Sequence, residues 1–110
     1  MVAKPYDVCL VSKYDLRLAK HNRTSIVVAI VGADLRVYPT TGRLELCDNL
    51  PSAFLINSDD LDFPATKLRY TSYVLDRPSL VPQDRVLKIL GKLEGDLKRR
   101  FIKHFGLEES

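Results

Sequence analysis

Cysteine is nearly absent from this chain of 110 residues: there are two, Cys9 and Cys47, far apart and without a second Cys or His at ligand spacing. That argues against a disulfide framework and a zinc site, and it suits a reducing compartment, so the expected location is the cytoplasm. Long apolar runs are missing too. The start MVAKPYDVCL has no basic stretch followed by an apolar one, and no segment approaches the roughly 18 apolar residues that read as a membrane span. A protein that neither enters nor crosses a membrane is expected. There is no Gly-rich phosphate loop, no Gly-x-Ser-x-Gly elbow and no His-Glu-x-x-His, and Asp59-Asp60-x-Asp62 lacks the spacing of a calcium loop and reads as a turn. No metal and no cofactor are expected. Charge of one sign is in short supply as well: a formal net charge of +3 permits a polyanionic partner without demanding one.

What is present is the composition of a folded protein, 45% hydrophobic and 28% charged, in a chain long enough for one compact domain. Residues 1–110 are therefore expected to form a single domain. The cations cluster twice: Lys13, Arg17, Lys20, His21 and Arg23 in one polar stretch, and Lys98, Arg99, Arg100, Lys103 and His104 near the end, where they read as the solvated face of a helix. Tyr6–Val11 reads as a first strand after Pro5, followed by a cationic loop from Ser12 to Thr24. Ser25–Val31 is the most apolar run, rich in β-branched residues, and is expected to be a central strand buried on both faces. Leu35–Tyr38 reads as a strand stopped by Pro39, Leu44–Leu46 as another after the Thr41-Gly42 turn, and Ala53–Ile56 as a third. Tyr70–Leu75 alternates as a strand with one wetted face. Arg85–Leu90 is ambiguous between strand and helix. Leu97, Phe101, Ile102 and Phe105 form a stripe that predicts an amphipathic helix over Glu94–Phe105, ended by Gly106.

The order of these segments resembles the MazF/PemK toxin family. The family's opening Gly-Asp-(apolar) strand is similar to Tyr6-Asp7-Val8. Its loop closing on Arg-Pro before an apolar strand is similar to Arg23-Thr24 ahead of Ile26–Val31, and its Pro-x-Thr strand end to Tyr38-Pro39-Thr40-Thr41. Ser72-Tyr73-Val74-Leu75-Asp76-Arg77-Pro78 and Arg85-Val86-Leu87-Lys88-Ile89-Leu90-Gly91-Lys92-Leu93 resemble two later strands of the family. The sequence departs from the pattern in having Arg-Thr for Arg-Pro, no Glu ahead of Arg23 in the loop, and Arg77 where the family has Gln. The resemblance implies a mainly β (α+β) fold, an SH3-like, partly open barrel of about five to seven strands with a C-terminal amphipathic helix. In that case Arg85–Leu90 is strand.

The resemblance also implies an activity: cleavage of single-stranded RNA by the toxin of a toxin–antitoxin pair, as a homodimer held in check by a cognate antitoxin. Metal-free cleavage uses the RNA's own 2′-hydroxyl, so the protein must supply a base, an acid and donors for the crowded phosphorane. Arg23 is the expected stabiliser, because a guanidinium stays charged and holds two phosphate oxygens at once. Thr40, with Thr41 next, is expected to donate a hydroxyl. His21 is the candidate acid or base. Asp76 is expected to orient Arg23 or act as base, and Lys20, Thr41, Arg69 and Arg77 to bind RNA. Tyr70 and Tyr73 are candidates for base stacking. A different class of function stays open beside this one: a CcdB-like poison of DNA gyrase acting through the end Phe101-Ile102-Lys103-His104-Phe105-Gly106. A third is a toxin-like fold serving as an RNA- or protein-binding module.

Overall fold

The computed structural model describes residues 2–12 and 22–107. Seven strands, β1 (Asp7–Val11), β2 (Arg23–Val31), β3 (Asp34–Thr41), β4 (Phe54–Ile56), β5 (Ser72–Val74), β6 (Ser79–Pro82) and β7 (Val86–Lys92), form one antiparallel sheet with a short helix α1 (Phe63–Thr66) and a closing helix α2 (Gly95–Phe105). The strand order is β4-β5-β3-β2-β1-β7, with β6 pairing β3 alongside, and the sheet does not close on itself. This is the mainly β, partly open architecture with a C-terminal helix that the resemblance implied.

Alternation along the central strands sends side chains into two cores. Val8, Ile26 and Tyr38 face α2, whereas Cys9, Val11, Val27, Leu35 and Val37 face the other way and meet Val81. Phe101 is fully buried at the centre of the first core, edge-on to Tyr6, Tyr38 and Phe54 with ring centroids 6.3, 6.2 and 5.6 Å away. Such edge-to-face pairs add to the burial of four large rings. The apolar residues of the tail are thus turned inward: Phe101 and Ile102 are buried and Phe105 packs on Tyr38 and Phe54. His104 donates its Nε2–H to the Ser52 carbonyl at 2.9 Å. Gly106, at φ 63°, ends α2 in the left-handed conformation that glycine adopts freely.

Asp62 and Asp60, expected to make only a turn, fasten α2. The Asp62 carboxylate accepts the Leu97 backbone N–H at 3.2 Å, doing for the helix what the side chain of its own cap residue, Glu94, does not. Asp60 pairs with Arg100, which also binds Asp96 at 2.9 Å.

Three expectations change, and one left open is decided. Ser25–Val27 is buried on both faces, but Ile30 and Val31 emerge into solvent as β2 runs on into a two-residue hairpin at Gly32-Ala33. Pro39 does not stop β3. On that edge β3 pairs β6 through Val37 and β5 from Thr40, so Pro39 falls where no ladder donor is required, and its carbonyl accepts the Leu75 N–H at 2.8 Å. Leu44–Leu46 is a 3-10 turn rather than a strand, because the cleft-side loop leaves the sheet at Gly42. Arg85–Leu90 resolves as strand β7 from Val86. Two short elements, α1 and β6, carry too few residues for a visible period.

Candidate phosphodiester-binding cleft

A cleft of about 620 Å³ opens where β2 begins and β3 ends. Asn22, Arg23 and Thr24 line it from one strand, Thr40, Thr41, Gly42 and Arg43 from the next, and Lys67 to Tyr70 from the loop between α1 and β5. Leu10 and Leu90 supply apolar wall. Among the described residues that line it, four are cations, Arg23, Arg43, Lys67 and Arg69, and none is an Asp or Glu. None of the four forms an ion pair with a carboxylate among the described residues. Such a cleft concentrates positive potential where it opens to solvent.

Arg23 and Thr40, widely separated in sequence, come together. The Arg23 Nη1–H donates to the Thr40 carbonyl at 3.4 Å, and the Thr40 hydroxyl donates to the Thr24 carbonyl at 3.1 Å. One guanidinium N–H is thus engaged by backbone, and the rest of the fork remains available to an anion. The Thr40 hydroxyl is buried and its proton committed. Thr41 is better exposed, and its oxygen accepts the Arg43 N–H at 3.2 Å, leaving the hydroxyl proton free to donate.

Sheet register explains which other candidates join them. β5 runs antiparallel to β3, with Thr40 opposite Val74 and Thr41 opposite Tyr73. Residues that precede β5 therefore approach the cleft end of β3, and residues that follow it are carried back along β3. Arg69 lies in the cleft; Asp76 and Arg77 do not line it. Asp76 is instead carried toward Tyr38, whose phenol is pushed above its usual range by burial first and by the negative charge of Asp76 second. The expected pairing of Asp76 with Arg23 is absent for this reason. Lys20 and His21 lie outside the described residues.

Sequence reasoning missed Arg43, Lys67 and the apposition of Tyr70 with Gly42. The run Lys67-Leu68-Arg69-Tyr70, alternating cations beside an aromatic, was the available signal. Lys67 sits at φ 60°, a left-handed conformation uncommon outside glycine, held by the turn that ends α1. In that turn the Thr66 hydroxyl donates to the Phe63 carbonyl at 2.6 Å and accepts the Leu68 N–H at 3.2 Å.

The class defined by these observations is a small antiparallel, partly open barrel with a closing helix and a cationic cleft at one strand end. No family model and no curated protein matches the chain. Among solved structures, an endoribonuclease in complex with its cognate antitoxin, from a mycobacterial species, superposes with a TM-score of 0.64 at 15% identity, covering 99% of this chain and 98% of that one. At that identity the likeness is one of fold, and it spans both chains from end to end, as the sequence resemblance to endoribonuclease toxins led us to expect.

Proposed function

We propose that this chain is the toxin of a toxin–antitoxin pair, a sequence-selective, metal-independent endoribonuclease that cleaves single-stranded RNA in the cytoplasm. The observation that carries this reading is the cleft itself: Arg23 bonded to the Thr40 carbonyl, three further cations around it, and no carboxylate among the described lining residues. A polyanionic chain with an unshielded phosphate suits that surface, and the neighbour of known structure is an endoribonuclease bound to an antitoxin.

In the proposed reaction the RNA 2′-hydroxyl oxygen attacks the adjacent phosphorus as His21 removes its proton. The bond from phosphorus to the 5′-oxygen breaks, that oxygen takes a proton from water while His21 returns its own to solvent, and the products carry a 2′,3′-cyclic phosphate and a free 5′-hydroxyl. Arg23 neutralises the charge that builds on the non-bridging oxygens, and Thr41 donates its hydroxyl to one of them. Thr40 acts mainly through its carbonyl, which steers the Arg23 guanidinium. Arg43, Lys67 and Arg69 hold the flanking phosphates, and Lys20 is assigned the same task. Asp76 and Arg77 contribute from outside the cleft, as a second copy in the homodimer brings neighbouring surface to the RNA. The antitoxin inhibits by laying an acidic segment along the same cations.

Purified protein incubated with mixed-sequence RNA in excess chelator should give fragments ending in cyclic phosphate, and Arg23→Ala should abolish them while leaving the circular dichroism unchanged. Intact RNA, or full activity in Arg23→Ala, would overturn the reading. Intact RNA with inhibited gyrase would transfer the case to the CcdB-like alternative.

A further inference from the structure

We infer that Tyr70 and Gly42 form a stacking subsite for one unpaired nucleobase at the edge of the cleft, an inference that rests on the RNA-binding reading of that cleft. Tyr70 is 60% exposed although its ring is large and apolar, and it touches no other aromatic ring among the described residues. What fixes it is Gly42. A Cβ built on Gly42 would lie 2.1 Å from Tyr70 Cε2 and 3.0 Å from both Cδ2 and Cζ, so the ring edge occupies the place of a side chain. Gly42 is not among the glycines at positive φ, so its backbone conformation is open to any residue. Glycine is required here for room.

The backbone that carries the ring is anchored immediately after it. The Ser72 hydroxyl donates to the Tyr70 carbonyl at 3.0 Å, and the Thr71 hydroxyl accepts the Ser58 N–H at 2.9 Å and donates to the Ser58 hydroxyl at 3.0 Å. An exposed aromatic held in one place beside Arg43, Lys67 and Arg69 combines a π-surface with cations for the adjoining phosphates. That combination recognises single-stranded nucleic acid, because every base has a face to stack while the charge follows the backbone. The subsite accordingly tolerates any base, and selectivity among RNA words must come from other residues.

The test uses two fluorescently labelled, uncleavable oligomers of equal length: a 2′-O-methyl oligoribonucleotide and its abasic counterpart with the same phosphates, each titrated by anisotropy. Tyr70→Leu should weaken binding of the base-containing oligomer by about 5- to 100-fold. Tyr70→Phe should keep wild-type affinity, and Gly42→Ala, whose methyl displaces the ring without touching the sheet pairing, should reproduce the loss. None should change affinity for the abasic oligomer. Wild-type affinity of Tyr70→Leu for the base-containing oligomer, or an equal loss on the abasic one, overturns the subsite. Should the wild-type protein bind neither oligomer and cleave no RNA, the functional reading falls together with it, whereas cleavage that persists with an indifferent Tyr70 removes the subsite alone.

Discussion

Four cations, with no carboxylate among the described residues lining the cleft, make a quantitative prediction about salt. Each phosphate neutralised on a single strand releases counterions and contributes about −0.7 to the slope of log affinity against log salt concentration. If Arg23, Arg43, Lys67 and Arg69 each meet one phosphate, the slope is about −2.8, and a fourfold rise in salt costs about 50-fold in affinity. Replacing Arg43 or Arg69 by Gln should bring the slope to about −2.1 and the loss to about 20-fold. Arg99, on the exposed side of α2 and paired with Asp96 at 2.8 Å, is the control: Arg99→Gln should leave the slope where it was. The assay is anisotropy of a labelled, uncleavable single-stranded oligomer from about 50 mM to about 200 mM salt, a range over which the screening length falls from about 14 Å to about 7 Å. Equal slopes for wild type, Arg43→Gln and Arg69→Gln would refute the reasoning, since the cleft cations would then not be the groups that meet the phosphates.

Three further outcomes concern the fold that positions the cleft. Gly91→Ala should destabilise by about 1–3 kcal/mol in denaturant unfolding, because its methyl would lie 2.2 Å from the Ala65 carbonyl oxygen, which is backbone and cannot swing aside. Asp62→Ala should cost about 1 kcal/mol, measured the same way, by leaving the Leu97 N–H at the start of α2 without its acceptor. Burial, helped by the charge of Asp7, pushes the Cys9 thiol up to about 12, so the folded state keeps a proton that the unfolded chain gives up. The stability this carries is complete below the ordinary thiol range of about 8.5 and is lost as pH rises toward the folded value, at a limiting slope of about 1.4 kcal/mol per pH unit. Cys9→Ala should therefore flatten the alkaline fall in unfolding free energy; an unchanged pH slope would show that Cys9 does not contribute to it.

Much of this architecture was legible in the residues. The β-branched run before Gly32 and the apolar stripe ending at Gly106 each express a local rule, and each lies in a matching element. Local rules also mislead where a neighbour decides. Pro39 stays within β3 only because two different strands divide that edge between them, and Leu44–Leu46 has strand-like residues with no strand beside it to pair. The site was legible in part for the same reason. Arg23 and Thr40 were singled out as candidates from order and type, and antiparallel pairing of β2 with β3 brings them together. Asp76 and Arg69 looked equally suitable on paper. Register separates them, because β5 turns one toward the cleft and the other toward Tyr38, and register depends on long-range pairing that a single sequence does not display. Gly42 was visible only as a turn residue; its second role depends on where Tyr70 comes to lie.

The central claim is that the RNA strand cuts itself while the cleft grips its phosphate. It is tested most directly with an RNA oligomer carrying one 2′-deoxy residue immediately 5′ to the mapped cut. The account predicts that this oligomer binds as its all-ribose parent does and is not cut at that bond, whereas cleavage there at the parental rate would contradict it.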